Sequence, residues 1–302
     1  MPSGMKKTMS ELVEAIGGGE VTEVELNALL SSLRGPSAYD RLSDRQADAK
    51  NEAQQIAFDA MEAENERQAR KLAKRALRLD PDCVDALLVM TGLDARNPRE
   101  TIEGLQKAVA AGERSLGEKF IRENKGHFWM LIETRPWMRA MAQLAELLRG
   151  QGSRADASGI YERMLELNPN DNQGVCDPLV GLYLETGDLN GAARLLNRYK
   201  EERFANHTWA RVLERFLAAD RAGAQGALKK ARQANRHVEH YLTGQRTQPK
   251  EMPEMYSPGS EEEAVLCMSN LRGAWAEHKE ATLWLYEQLA ADGAGLSIPR
   301  NQ

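Results

Sequence analysis

The chain has 302 residues, 40 basic and 45 acidic, for a formal net charge of −5. The two signs are interspersed, so there is no large single-sign field of the kind that draws a protein onto nucleic acid or an anionic membrane. Aromatic residues make up 6% and Ala, Leu, Glu, Arg and Gln dominate, a composition that favours helix almost throughout. The length is enough to bury a large core or several stacked repeats. Cys83, Cys176 and Cys267 form no C-x-x-C pair and no disulfide framework, which fits a reducing, cytoplasmic location. No apolar run approaches the ~18 residues of a membrane helix. The N-terminus, MPSGMKKTMSELVEA, has no apolar core after its basic residues and is not read as a signal peptide.

Residues 1–38 read as an N-terminal extension. Short helices are expected over 11–16 and 24–33, broken by Gly17, Gly18 and Gly19, with Thr22 and Glu25 as a capping box. The glycine triplet lacks the Lys-Ser/Thr and the preceding apolar strand of a phosphate loop, and is read as a linker. Residues 39–242 read as helical repeats. Ile56, Ala57, Ala60 and Met61 form one helical stripe; Ala69, Leu72, Ala73, Ala76 and Leu77 form a second, closed by Asp80-Pro81. The Lys/Arg run on that second helix is read as a solvated face. Val84, Leu87, Leu88 and Met90, then Ile102, Leu105, Ala108 and Val109, give a degenerate hairpin broken at Asn97-Pro98. Residues 116–137 interrupt the period. This aromatic stretch, with Phe120, His127, Phe128, Trp129 and Trp137, reads as an insertion that begins a helix near Phe128 or Pro136.

The clearest repeat follows. Met141, Leu144, Ala145 and Leu148 form a stripe, Gly150 and Gly152 a turn, and Ala157, Tyr161 and Met164 a returning stripe. After Pro169, Cys176, Leu179, Val180 and Tyr183 give the next helix, Gly187-Asp188 its turn, and Ala192, Leu196 and Tyr199 the partner. Gly152 to Gly187 and Ala157 to Ala192 are both intervals of 35 residues. Small residues at Ala157 and Ala192 let helices approach, and Tyr161 and Leu196 fill the space between hairpins. The pattern resembles the tetratricopeptide repeat, whose period is about 34 residues with small, aromatic and proline landmarks. Trp209, Val212, Leu213 and Phe216, then Ala224, Leu228 and Ala231, give one more hairpin. Residues 243–302 read as a loop and a C-terminal helical cap. Ser260 and Glu263 form a capping box for a helix through about Trp275, and 279–291 make the last helix.

The blocks NEAQQIAFDAMEAENERQARKLAKRAL, ENKGHFWMLIETRPWMRAMAQLAELL, YERMLELNPNDNQGV, NRHVEHYL and EMPEMYSPGSEEEAVLCMSNLRGAW, in this order, resemble the bacterial tetratricopeptide-repeat proteins related to the suppression-of-tumorigenicity-seven family. The resemblance covers about 46–290. It implies an all-α, tetratricopeptide-like superhelix acting as a cytosolic scaffold, with no transferable reaction. The chain departs from the family at Asn235–Glu239, where Asn-Pro-His-Val-Pro is usual, and at Cys176-Asp177-Pro178, where an apolar run is usual. Pro178 is expected to distort the start of its helix.

No H-E-x-x-H, P-loop or G-x-S-x-G occurs, the five histidines are scattered, and the cysteines sit in helix stripes. His237 and His240 read as an exposed helix end rather than a metal pair. The expectation is a non-enzymatic protein-interaction scaffold with no cofactor, binding a peptide or partner surface in the concave groove of stacked hairpins. Residues expected to contact the partner are Arg135, Trp137 and Arg139 in the ETRPWMR block and Asn168, Asn170, Asn172 and Gln173 in the NPNDNQ block, types suited to carboxylate and peptide-backbone recognition. The same asparagines also suit helix capping. The alternatives are a nucleic-acid-associated adaptor using Arg-rich faces and Trp stacking, and an enzyme with a site near His127, Glu133 and Arg135.

Overall fold

The computed structural model describes residue 37 and residues 42–200 and 204–291. The two helices expected before residue 38 and the tail after residue 291 lie outside the described residues. Within them the chain is all-α, with fourteen α-helices, two 3-10 turns and no strand. It forms two compact units, divided between Gln143 and Leu144. Both are built from the helical hairpins that the repeat pattern predicts. No described helix is long and apolar enough to cross a membrane.

The first unit comprises α1 (Asp44–Met61), α2 (Glu66–Leu79), α3 (Val84–Asp94), α4 (Pro98–Leu116), α5 (Glu118–Glu123), 3-10 turns at Phe128–Met130 and Ile132–Thr134, and the start of α6 (Arg135–Gly150). Helices α1 and α2 pair, α3 and α4 pair, and α3 also lies against α1 and α2. Alanine makes this possible. Ala53, Ala57, Ala60, Ala73, Ala76 and Ala86 are buried with Ile56 and Cys83, and side chains this small let helix backbones approach closely. Helix starts are set by local chemistry: Asn65 Oδ1 accepts from Gln68 N at 3.0 Å, and Asn97 Oδ1 from Glu100 N at 3.0 Å. Met61, expected on the buried stripe, is 44% exposed at the end of α1. The aromatic insertion is α5 and the two turns, and the helix after it begins at Arg135.

The second unit continues through α6 and holds α7 (Arg154–Leu167), α8 (Cys176–Thr186), α9 (Leu189–Arg198), α10 (Ala205–Leu217), α11 (Arg221–Ala234), α12 (Val238–Leu242), α13 (Glu261–Glu277) and α14 (Lys279–Ala291). One turn recurs three times. After α6, Gly152 N donates to Arg149 O and Ser153 N to Leu148 O; after α8, Gly187 N donates to Leu184 O and Asp188 N to Tyr183 O; after α10, Ala219 N donates to Phe216 O and Asp220 N to Arg215 O. This paired pattern closes a helix through a left-handed residue. Gly152 and Gly187 take it at φ +79°, and Ala219 takes it at φ +59° despite its Cβ. Asp188 and Asp220 then cap the next helices through Gly191 N and Gly223 N, both at 2.8 Å.

Pro178 does not distort α8. It sits in the first turn, where the missing N–H removes no helical bond, and the helix runs from Cys176. Helix α13 does the capping by packing against α8, α10 and α12 together. A Cβ on Gly181 of α8 would lie 2.2 Å from the Asn270 carbonyl oxygen of α13, so glycine is what allows this contact. The Ser260–Glu263 box is made by half. Ser260 Oγ accepts from Glu263 N at 3.2 Å, but the buried Glu263 carboxylate turns inward. It accepts from Ala205 N at 2.9 Å, Gly259 N at 2.7 Å and Asn235 Nδ2 at 2.9 Å, so it caps α10 from far along the chain.

Candidate functional site

The residues singled out in the sequence fall in both units. Arg135, Trp137 and Arg139 belong to the first. Trp137 is 4% exposed, with its ring 5.9 Å from that of Phe128, and a Cβ on Gly112 would lie 2.4 Å from the indole. It is core. Arg139 reaches down to Asp85 on α3, which is fully buried: Nε to Oδ1 is 3.2 Å and Nη2 to Oδ2 is 2.7 Å. Gln54 Nε2 on α1 adds a third donor at 2.7 Å. This is the bidentate geometry of a guanidinium on a carboxylate, and it ties α1, α3 and α6. Arg135 is exposed, lies over the Trp129 ring at 5.0 Å and donates to the Trp129 carbonyl at 3.3 Å. His127 is exposed too.

The NPNDNQ block lies in the second unit between α7 and α8. Asn168 is 4% exposed and closes α7, its N–H bonding Met164 O. Asn170 and Asn172 are exposed, and Gln173 is half-buried with its Oε1 unpartnered. The residue that organises the turn is Asp171. At φ +49° its carboxylate accepts from Val175 N at 2.8 Å and Cys176 N at 2.9 Å, opening α8. Tyr199 closes the far side, donating to Pro169 O at 2.9 Å.

The first unit has a polar cleft beside Lys50, Gln54, Asp80 and Trp137, with a cavity of about 20 Å³. That is room for about one water, and Lys50 Nζ already spans it to Asp80 at 2.9 Å and Ser115 at 3.0 Å.

The second unit has a far larger groove, of about 660 Å³. One wall is Tyr241 and Leu242 of α12 with the loop from Gly244 to Gln248. The opposite wall is Met268, Arg272, Trp275 and Ala276 of α13, and Lys279, Thr282 and Leu283 of α14 complete it. The spacings of three and four in each helix put these side chains on one face. Thr282 Oγ1 donates to Trp275 O at 3.0 Å and fixes the α13–α14 elbow. Trp275 is 1% exposed, and its Nε1 has no hydrogen-bond partner. Leu283 is 63% exposed at the edge. Arg246 pairs with Glu261, which also accepts from Tyr241 OH at 2.8 Å. These bonds hold the Glu261 carboxyl below its ordinary range, with Arg246 the larger cause. The same loop continues into Met252, Met255 and Tyr256, 49%, 84% and 49% exposed.

The thiols and one imidazole are placed for packing. Burial pushes Cys83 up to about 11 and Cys267 well above the ordinary thiol range. Burial, helped by Arg211, lowers His207 to about 4. Among the described residues no group of three His, Cys, Asp or Glu side chains is gathered to hold a metal. The groove was not visible in the sequence, where Met268 and Trp275 look like an ordinary core stripe and residues 243–259 like a covering loop.

No family model matches the chain, and no curated protein matches it. Among solved structures, the chain described as "Functional Characterization of Pseudomonas Aeruginosa pilF" is 18% identical, with a TM-score of 0.32, over 62% of this chain and 92% of that one. The all-α hairpin fold therefore stands on the helices themselves, and the likeness to the suppression-of-tumorigenicity-seven relatives remains a resemblance carried by the quoted blocks.

Proposed function

We propose that this chain is a non-enzymatic, cytoplasmic interaction scaffold that holds a partner polypeptide, and that the groove of the second unit is where it does so. The observation that carries the reading is the groove itself. Its 660 Å³ lies in the range of built ligand sites, about 300–1,000 Å³. Its lining mixes apolar side chains with Arg246, Thr247, Gln248, Arg272, Lys279 and Thr282, and it is framed by helices rather than by loops alone. The same loop goes on to three exposed large side chains, Met252, Met255 and Tyr256, and large apolar surface left exposed marks interaction sites. Methionines suit such a surface because they adapt to the shape of a partner. Burial raises the Cys83 and Cys267 thiols, which disfavours the nucleophilic thiolate at these two positions. In this reading Trp137, Arg139 and Asn168 serve packing. Arg135, Asn170 and Asn172 provide secondary contact surfaces, each within its own unit.

The test is a photo-crosslinking residue placed at Leu283 and, separately, at Asn172 and Arg135, expressed in the native cell. Polypeptide adducts are expected at Leu283. Adducts at Asn172 or Arg135 with none at Leu283 would move the site out of the groove, and absence at all three would refute the scaffold reading.

A further inference from the structure

The groove also specifies the chemistry of its occupant. We infer that it takes an acidic stretch of a partner polypeptide, with one bulky apolar side chain flanked by carboxylates; this rests on reading the groove as a polypeptide site. Three cations line it: Arg246, Arg272 and Lys279. Arg246 is already held by Glu261. Arg272 and Lys279 are exposed, and among the described residues neither is in an ion pair; Arg272 makes a weak 3.4 Å bond to Gln248. Each stands one helical turn from an apolar group on the same face, Arg272 from Met268 and Trp275, Lys279 from Leu283. No carboxylate is among the groove's lining residues, in a chain whose net charge is −5.

Met268 and Trp275 are 3% and 1% exposed, so the apolar surface open to a ligand is that of Leu283, 63% exposed, and Ala276. An apolar side chain against these two and carboxylates on Arg272 and Lys279 match the exposed chemistry of the groove. The loop that lines the groove runs on to the exposed Met252, Met255 and Tyr256, so a polypeptide following that loop meets apolar side chains that a small amphiphilic acid does not reach.

The experiment uses the full chain and a short fluorescein-labelled peptide of Asp and Glu residues around a central Phe, read by fluorescence anisotropy. Saturable binding is expected, weakened by added salt and by about tenfold or more when the carboxylates become amides or the protein carries R272E/K279E. These two residues are exposed, so an unchanged circular dichroism spectrum is expected of the variant. R272E/K279E should instead bind the matching Lys/Phe peptide. The inference is overturned if the amide peptide binds as well as the acidic one, if charge reversal changes nothing, or if no saturation is seen up to about 1 mM. Displacement of the probe by a free fatty acid, or by a second copy of the chain as it dimerises, overturns it equally. A polypeptide adduct at Leu283 with no binding of the acidic probe would sink this inference and leave the scaffold reading standing; failure of both would remove both.

Discussion

Arg139→Met isolates the buried carboxylate of the first unit. Asp85 is 0% exposed and receives three N–H donors, two from Arg139 and one from Gln54. Methionine keeps most of the aliphatic stem and removes both guanidinium bonds. Breaking a buried ion pair while leaving one charge behind costs about 3–5 kcal/mol. Here the Arg139 side chain is 40% exposed, so water reaches the vacated space and Gln54 still donates. The expected loss is therefore about 2–3 kcal/mol. Asp85→Leu combined with Arg139→Met removes the stranded charge and should return to within about 1 kcal/mol of the parent. Urea denaturation followed by circular dichroism, run on the two single variants and the double, gives the coupling energy directly. A cost below about 0.5 kcal/mol for Arg139→Met, or additive single effects, would refute the buried-charge account. It would return Arg139 to the contact surface suggested by its place in the ETRPWMR block.

Three further outcomes follow from the second unit. Ala219→Gly should stabilise by about 0.5–1 kcal/mol, because it relieves a Cβ in the left-handed region; an unchanged thermal midpoint would contradict the turn geometry. Asp171→Ala should cost about 1 kcal/mol through loss of the α8 cap, whereas Asn170→Ala and Asn172→Ala should each stay within about 0.5 kcal/mol, all read by chemical denaturation. For His207, the folded pKa of about 4 lies below the ordinary 6.5, so the unfolded chain binds the extra proton. Its contribution is fully present above pH 6.5 and is lost as pH falls toward 4, at up to about 1.4 kcal/mol per pH unit. His207→Gln should flatten the fall in melting temperature between about pH 7 and 5; parallel curves for parent and variant would show that His207 titrates normally.

The hairpins were legible because their punctuation is local. Gly152 and Gly187 announce a left-handed helix end in any context, and 3.6-residue stripes follow from burial on one face. The third copy of the turn was hidden because Ala219 is a residue that normally avoids that conformation. The NPNDNQ block was legible as a turn, but which of its short polar side chains caps α8 is decided by the backbone at Asp171, not by composition. Trp137 and Arg139 were read as surface because an Arg beside a Trp looks the same whether it faces solvent or a carboxylate 54 residues earlier in the chain. The groove was illegible for a related reason. Its walls come from α12, a loop, α13 and α14, and no periodicity within one segment records which of its faces a neighbour leaves uncovered.

The Glu263 carboxylate has a consequence for how this molecule can be shortened or lengthened. A single side chain near the C-terminal end answers the N–H groups of Ala205 and Gly259 and the amide of Asn235, and Asn235 in turn accepts from the Trp209 indole at 3.0 Å. A chain cut before Ser260 leaves these buried groups without their acceptor. The last two helices are thus not a detachable lid on a set of interchangeable modules. Repeat arrays ordinarily gain and lose modules by duplication and deletion; here α13 also packs on α8, so a module inserted anywhere between α8 and α13 would pull these contacts apart, and the freedom to change repeat number is confined to the stretch before α8.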